Sequence, residues 1–343
     1  MPGRERIRFS LVVLLAFVAA LCVAAFSVSG GPESASAGTP APAEKFEFPS
    51  RLRIATYNLH NYRDENRFSD EGKFLFAHPK PEKSKEAVRR TILAVRPDVL
   101  AVQEIGGAPW LDELADALAR EGLAFPYRAT LEGYDRFNRL AVLSRVPFSE
   151  TIKIAAPKKL TRGLLGVVVP VAGGEPIAVF NVHLKSKVSS DPDDPESVGR
   201  RSAEARFVRR LIEYRVEDEK AAERVPASRR FSAPARLKRA PRERFVLVGD
   251  FNDVPGSAPL APLEATTFAR ALPAKSADGG EATFVNARRE YFFTFDRIFV
   301  SPALFRRGYV AGSAGIAAFE WSAAASDHRM VYADFVFSET DGE

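Results

Sequence analysis

The chain has 343 residues, 46% of them hydrophobic and 27% charged, with a formal net charge of +5, one cysteine and four histidines. These are the proportions of an ordinary globular protein with material for a sizeable core. The lone Cys22 excludes a disulfide framework and thiol chemistry, and the modest basic excess suits an anionic substrate without demanding one.

Three arginines (Arg4, Arg6, Arg8) precede sixteen apolar residues from Leu11 to Phe26, the pattern of an export signal. The run is slightly long for a signal peptide and slightly short for a span, and Ala35-Ser-Ala37 suits signal peptidase. Residues 1–28 therefore read as a signal peptide or an uncleaved membrane anchor. Either places the rest of the chain outside the cytoplasm, secreted or held at the outer face. Residues 29–50, rich in Ser, Gly, Pro and Ala, read as a flexible linker to a domain over 51–338, with a short tail at 339–343.

A strand over 52–57 opens that domain. The loop 59–80 is polar and irregular, and its His60 and His78 read as surface histidines. Val88, Ile92 and Val95 form one face of a helix over 82–96 that Pro97 stops. A strand over 98–103 follows, then a helix whose stripe begins at Trp110, taken as a core anchor. Strands are expected near 125–130, 140–143, 164–171 and 177–182, a loop over 188–197, and a helix from Val198 to about Glu219. The segment 220–244 is a basic insertion of Arg and Lys among Pro, Ala and Ser, either solvated or an arm that grips phosphates. The apolar strand Phe245–Val248 reaches Gly249, read as freeing the backbone to turn, and further strands cover 295–300 and 330–337.

Polar residues collect at the ends of these strands. Asn58 follows 54–57, Gln103 and Glu104 follow 99–102, and His183 with Lys185 and Lys187 follows 177–182. Asp250, Asn252 and Asp253 follow 245–249. Asp296 lies inside an apolar run, where a lone carboxylate is costly without a partner, and Asp327 and His328 precede the last strand.

In this order, Thr-Tyr-Asn58, Val-Gln-Glu104, Asn181-Val-His183, Gly249-Asp-Phe-Asn252, Asp296-Arg-Ile and Ser326-Asp-His328 resemble the endonuclease/exonuclease/phosphatase superfamily, which includes deoxyribonuclease I and neutral sphingomyelinases. The resemblance covers about residues 51 to 337. It implies an α/β (α+β) four-layer sandwich, with two packed mixed β-sheets flanked by helices and a site at one edge. It also implies metal ligation by Glu104 with Asn58 and Asp327 (Asp250 a further candidate), by Mg²⁺ or alternatively Mn²⁺ or Ca²⁺. Hard oxygen ligands with few histidines suit such an ion better than zinc.

The implied catalytic set is His183, Asp250, Asn252, Asp296 and His328. Here His328 is the general base, oriented by Asp296, and His183 polarises a phosphate oxygen or protonates the leaving group. Lys185, Asn138 and Arg201 are candidates for binding the substrate phosphate, Asn138 also for orienting His183. His183 stands where exonuclease-III-like repair enzymes carry tyrosine, which argues against abasic-site repair. No hydrophobic hairpin suited to a membrane is evident. The expected activity is an exported, metal-dependent phosphodiesterase, most simply a monomeric endonuclease on nucleic acid. A phospholipid or other small phosphodiester hydrolase is the alternative, and a non-catalytic module for anionic polymers is a third.

Overall fold

The computed structural model describes residues 47–69, 71–173, 175–225 and 244–338. The expected signal or anchor, the linker as far as residue 46, positions 226–243 of the basic insertion and the tail lie outside the described residues. Among the described residues no helix is long and apolar enough to cross a membrane.

In chain order the elements are β1 (Arg51–Tyr62), β2 (Glu65–Phe68), β3 (Phe74–His78), α1 (Glu82–Val95), β4 (Val99–Ile105), α2 (Ala108–Arg120), β5 (Tyr127–Leu131), β6 (Arg139–Ser144), β7 (Glu150–Ile154), β8 (Leu164–Val169), β9 (Ile177–His183), α3 (Val198–Glu213) and α4 (Glu219–Glu223). They continue with β10 (Phe245–Asp250), α5 (Ala261–Glu264), β11 (Arg270–Ala271), β12 (Phe284–Asn286), β13 (Tyr291–Phe293), β14 (Asp296–Val300), α6 (Pro302–Arg307), β15 (Gly315–Ile316), α7 (Ser322–Ala325) and β16 (Val331–Val336).

One six-stranded sheet runs β15-β16-β1-β4-β6-β5 and the other β11-β14-β10-β9-β8-β7. Both are mixed: β1 is parallel to β4 and antiparallel to β16, and β10 is parallel to β9 and antiparallel to β14. The period-2 alternation of a strand explains the layering. In β10, Val246 and Val248 join the cluster between the sheets, while Phe245 and Leu247 pack outward with Phe207, Val208 and Leu211 of α3. In β1, Leu52 and Ile54 point inward, and Ala55 and Tyr57 pack with Val88 and Ile92 of α1 and Leu111 and Leu114 of α2. Strands buried on both faces read as unbroken apolar runs, so the four-layer sandwich expected from the sequence is the fold observed.

Beneath one edge of the sandwich the two sheets are also joined by polar groups. Gln103 Nε2 of β4 donates to Asn181 Oδ1 of β9 at 2.7 Å, and Asn181 Nδ2 donates to the carbonyls of Val102 and Ala141 at 2.9 Å each. Both side chains are fully buried, so each amide must find partners inside the protein.

Several local expectations are corrected; among them, the helix expected from Val198 to about Glu219 ends at Glu213, and Glu219 instead opens the short α4. The irregular loop 59–80 instead holds the end of β1 and the hairpin β2–β3, because Phe74-Leu-Phe76 alternates around a short turn. Strand β7 was not foreseen. Gly249 is not at a turn but inside β10, paired with Val182 and Arg297. A Cβ built there, at φ +142°, would lie 1.9 Å from the Val182 carbonyl oxygen, so glycine is required for close approach of two strands.

Candidate active site

The first sheet delivers Asn58 and Glu104 from a bulge rather than from strand ends. Pairing between β1 and β4 jumps from Asn58↔Gln103 to Tyr62↔Ile105, so β1 carries two extra residues. His60 (φ 47°), Asn61 (φ 57°) and Glu104 (φ 60°) all occupy the left-handed region, a strain that persists only where surroundings enforce it. The enforcing bonds are present. Asn61 N–H donates to Glu104 Oε2 at 3.0 Å, and Asn58 Nδ2 donates to Glu104 Oε1 at 3.2 Å and to Asp250 Oδ2 at 3.0 Å. Lys80, 5% exposed, donates from Nζ to the His60 carbonyl at 3.0 Å. Burial, reinforced by Arg67, pulls the Lys80 ammonium down to about 8.

The second sheet delivers buried groups that pair with one another. Asp296, the first residue of β14, faces Asp250, the last of β10, which is paired with His183, the last of β9. His328 Nδ1 lies 2.7 Å from Asp296 Oδ2, so Asp296 fixes the tautomer and turns Nε2 toward Asp250 Oδ2 at 3.7 Å. His183 Nε2 approaches the same Oδ2 at 3.3 Å. Asn252 (φ 52°) clamps Asp250 Oδ1 through its backbone N–H at 2.8 Å and donates from Nδ2 to the Leu184 carbonyl at 3.0 Å.

These environments push the ionisations apart. Burial, reinforced by Arg162 and then by His328, holds the His183 imidazole well below its ordinary range. Burial also opposes charge on His328, but Asp296 and Asp250 together outweigh it and hold that imidazole well above its ordinary range. Burial pushes the Asp250 carboxyl up to about 7, with His328 pulling the other way and Asp296 adding to the rise.

A cavity of about 770 Å³ opens over these groups, lined by Glu104, Asn138, His183, Asp250, Asn252, Asp327 and His328. Arg63, Arg162 and Lys187 also face it, and Phe284, Tyr291, Phe293 and Phe295 form one wall. The Phe293 and Phe295 rings stack at 5.0 Å, and Phe284 meets the His328 ring edge-on at 5.1 Å.

Of the expected phosphate contacts, only Asn138 faces the cavity. Arg201 is 0% exposed and held by Asp253 Oδ2 at 2.9 Å and by the Glu196 and Lys185 carbonyls at 2.8 and 3.2 Å, so it braces a loop instead. The Lys185 ammonium turns to the carbonyls of Ser186 and Val188. Asn138 donates to Asp135 at 3.1 Å and makes no hydrogen bond to His183, whose Nδ1 is buried without a partner.

Sequence reasoning missed Arg162, 8% exposed, held by Asp135 Oδ2 at 3.1 Å and the Leu184 carbonyl at 2.9 Å. Its one signal was a charge just ahead of the all-apolar β8. It also set aside His60, which lines the cavity with Nδ1 at 3.4 Å from Asp327 Oδ1. Nothing in the sequence signalled the short hairpin β12–β13, on which Tyr291 and Phe292 are exposed.

Two groupings offer themselves to a divalent cation. Asp250, Asp296 and His328 present ligand atoms within 4.8 Å of one another, and Asp296 Oδ1 is buried with no hydrogen-bond partner, but a cation there would either take His328 Nδ1 from Asp296 or occupy the Nε2 that a base needs free. Of the expected metal ligands, Glu104 and Asp327 line the cavity, whereas Asn58 is fully buried, its Oδ1 accepting the His60 N–H at 3.0 Å and its Nδ2 steadying Glu104. The Glu104 side chain is 18% exposed at the cavity, and Asp327 Oδ1 makes no hydrogen bond but has His60 Nδ1 at 3.4 Å, so a hard cation there would share that oxygen with the His60 ring.

Comparison with known proteins agrees with this geometry. A family model described as Endonuclease/Exonuclease/phosphatase family matches residues 55–328. No curated protein matches the chain significantly. Among solved structures, an endonuclease/exonuclease/phosphatase from Bacteroides vulgatus superposes with a TM-score of 0.56 at 16% identity, covering 84% of this chain and 99% of that one. A humanized D. rerio TDP2 with 14 mutations gives 0.54 at 15% identity over 84% and 100%. Sphingomyelinase C from Streptomyces griseocarneus gives 0.50 at 17% identity over 83% and 99%. At such identities the structural likeness establishes the fold, and the family match, running from β1 to His328, establishes the kinship: the chain belongs to the endonuclease/exonuclease/phosphatase family, hydrolases of phosphate esters on a deoxyribonuclease-I-like sandwich.

Proposed function

We propose that the protein is an exported, divalent-metal-dependent phosphodiesterase whose substrate is a phospholipid-type diester. The observation that carries the chemistry is the convergence of two imidazoles on Asp250, one of them locked by Asp296 at 2.7 Å. In this reading His328 takes the proton of the attacking water at Nε2, while Asp296 holds the opposite Nδ1–H and stabilises the resulting imidazolium. Asp250 and Asn252 orient that water. Neutral His183 donates a hydrogen bond from Nε2, and Arg162 stabilises charge growing on the phosphoryl oxygens. Glu104 and Asp327 would hold the cation, with Asn58 steadying Glu104, and a hard dication bound there would polarise the phosphoryl group, acidify water and favour the neutral form of His328.

For the substrate, the sequence favoured nucleic acid, and the side chains at the mouth favour lipid. Among the described residues, the cations facing the cavity are paired with carboxylates: Arg63 with Glu65 at 3.0 Å, Arg162 with Asp135 at 3.1 Å, Lys187 with Asp253 at 3.5 Å. A polyanion is gripped by unpaired cations along a track, whereas an aromatic wall suits a partly apolar ester. Nucleic-acid cleavage remains the second reading, supported by the overall charge of +5. The test incubates the full chain with mixed phospholipid vesicles and with plasmid, each with Mg²⁺ or EDTA. Lipid phosphodiester hydrolysis that EDTA abolishes supports the proposal, and plasmid nicking with intact lipid overturns its substrate.

A further inference from the structure

The hairpin β2–β3 forms a two-stranded sheet of its own. Phe68 and Phe74 are cross-strand partners with rings 5.5 Å apart, and Phe76 follows Phe74 by the two-residue period that keeps it on the same face. These rings are 72%, 52% and 79% exposed. Isolated two-stranded hairpins are marginal in water, so three phenylalanines turned to solvent need an occupant.

The hairpin is rooted at the cavity rim. Arg67 donates from Nη2 to the carbonyls of Asn61 and Arg63 at 2.8 and 3.2 Å, and both of those residues line the cavity. The hairpin β12–β13 rises from the same rim, with Tyr291 and Phe292 exposed and Arg288 and Arg289 in its turn. The exposed aromatics thus stand on two separate projections around one mouth rather than on a flat patch.

We infer that β2–β3, together with the tip of β12–β13, docks the mouth of the cavity onto a lipid bilayer surface, the phenylalanines entering the interfacial region so that a headgroup phosphate meets the site. Separate aromatic projections suit a deformable apolar surface, and aromatic rings settle at the boundary between headgroups and acyl chains. Charge complementarity is modest: Arg288 and Arg289 suit anionic headgroups, while the sequence between β2 and β3 carries Asp70 and Glu71 against Lys73 and is net negative. Docking therefore rests on apolar burial and persists in high salt, unlike binding of a nucleic acid. The inference rests on the proposed function only for the identity of the ester beneath the mouth.

The test uses the full chain carrying Phe76→Trp, mixed with vesicles of phosphatidylcholine and phosphatidylglycerol whose acyl chains are brominated. The expected result is quenching of the added indole beyond that of Trp110 and Trp321 in the unaltered chain, retained at high salt. Because the N-terminal apolar run can hold the full chain on vesicles by itself, the readout is the indole: Phe68→Ser added to the Phe76→Trp chain should cut its quenching by about half or more, while hydrolysis of soluble bis(p-nitrophenyl) phosphate is unchanged. Phe74→Ser in the same background serves if that variant unfolds. No added quenching, quenching undiminished by the serine substitutions, or protection of the indole by oligonucleotide or by self-association instead of lipid overturns the inference. Loss of all hydrolysis with quenching intact would sink the proposed function alone.

Discussion

The two sheets feed one cavity in different ways. The β1–β4 side presents Asn58, His60 and Glu104 from a strained bulge, with Glu104 open to the cavity and secured by donors from Asn58 and Asn61. The β9–β10–β14 side presents His183, Asp250 and Asp296 from unbroken register, each at most 3% exposed. One side thus offers reachable oxygen atoms, as a cation needs, and the other offers desolvated groups with displaced ionisations, as proton transfer needs. Division of labour between the sheets follows from backbone geometry before any ligand is considered.

If that division is right, substitutions on the two sides fail differently. The largest effect is expected on the second side: His328→Ala should lower kcat by ~10²–10⁴ at saturating metal with the circular dichroism unchanged, and near-full turnover would remove His328 from the chemistry. Glu104→Ala, on the first side, should instead displace the metal titration, raising the Mg²⁺ concentration for half-maximal activity by about tenfold or more. An unchanged titration with depressed turnover would reverse the assignment of the sides.

Stability should follow the packing. Gly249→Ala sets a Cβ 1.9 Å from the Val182 carbonyl oxygen, and chemical denaturation should show a loss of ~2–4 kcal/mol. Asn181→Ala, which removes one of the two acceptors of Gln103 Nε2 and the side-chain donor to two backbone carbonyls between the sheets, should cost ~1–3 kcal/mol; a neutral result would mean that the bridge is dispensable.

The smallest effects separate the histidines by pH. The folded-state value of His183 lies below its unfolded value, so it withdraws stability as pH falls through about 6.5, and His183→Gln should flatten that acid-side loss. The value of His328 is raised, so its contribution is complete below about 6.5 and is lost as pH climbs through the folded-state value. His328→Gln should flatten the alkaline side instead. Matching denaturation midpoints across pH for both variants would show that the two imidazoles do not differ.

The motif order pointed to one edge for Asn58, Glu104, His183, Asp250, Asn252, Asp296, Asp327 and His328, because the first five follow or end strands that run one way while Asp296, Asp327 and His328 begin or precede strands that run antiparallel to them. The phosphate contacts were harder. Lys185 and Arg201 looked suitable by position, yet both turn to loop carbonyls, and the buried cation beside His183 at the cavity, Arg162, arrives from a segment some way back in sequence. Side-chain direction in a loop depends on which carbonyls and carboxylates neighbouring loops supply, and no local pattern encodes those.

Alternation of apolar residues determined the layers, and the order of acids, amides and histidines determined the family. Only the tertiary structure decided that Asn58 and Glu104 sit in a bulge, that β2–β3 carries three exposed phenylalanines beside the mouth, and that His183 and His328 ionise in opposite directions. Periodicity along a chain records which face is buried; it does not record how many residues a neighbouring strand inserts, or how many charges surround a ring once the strands have met.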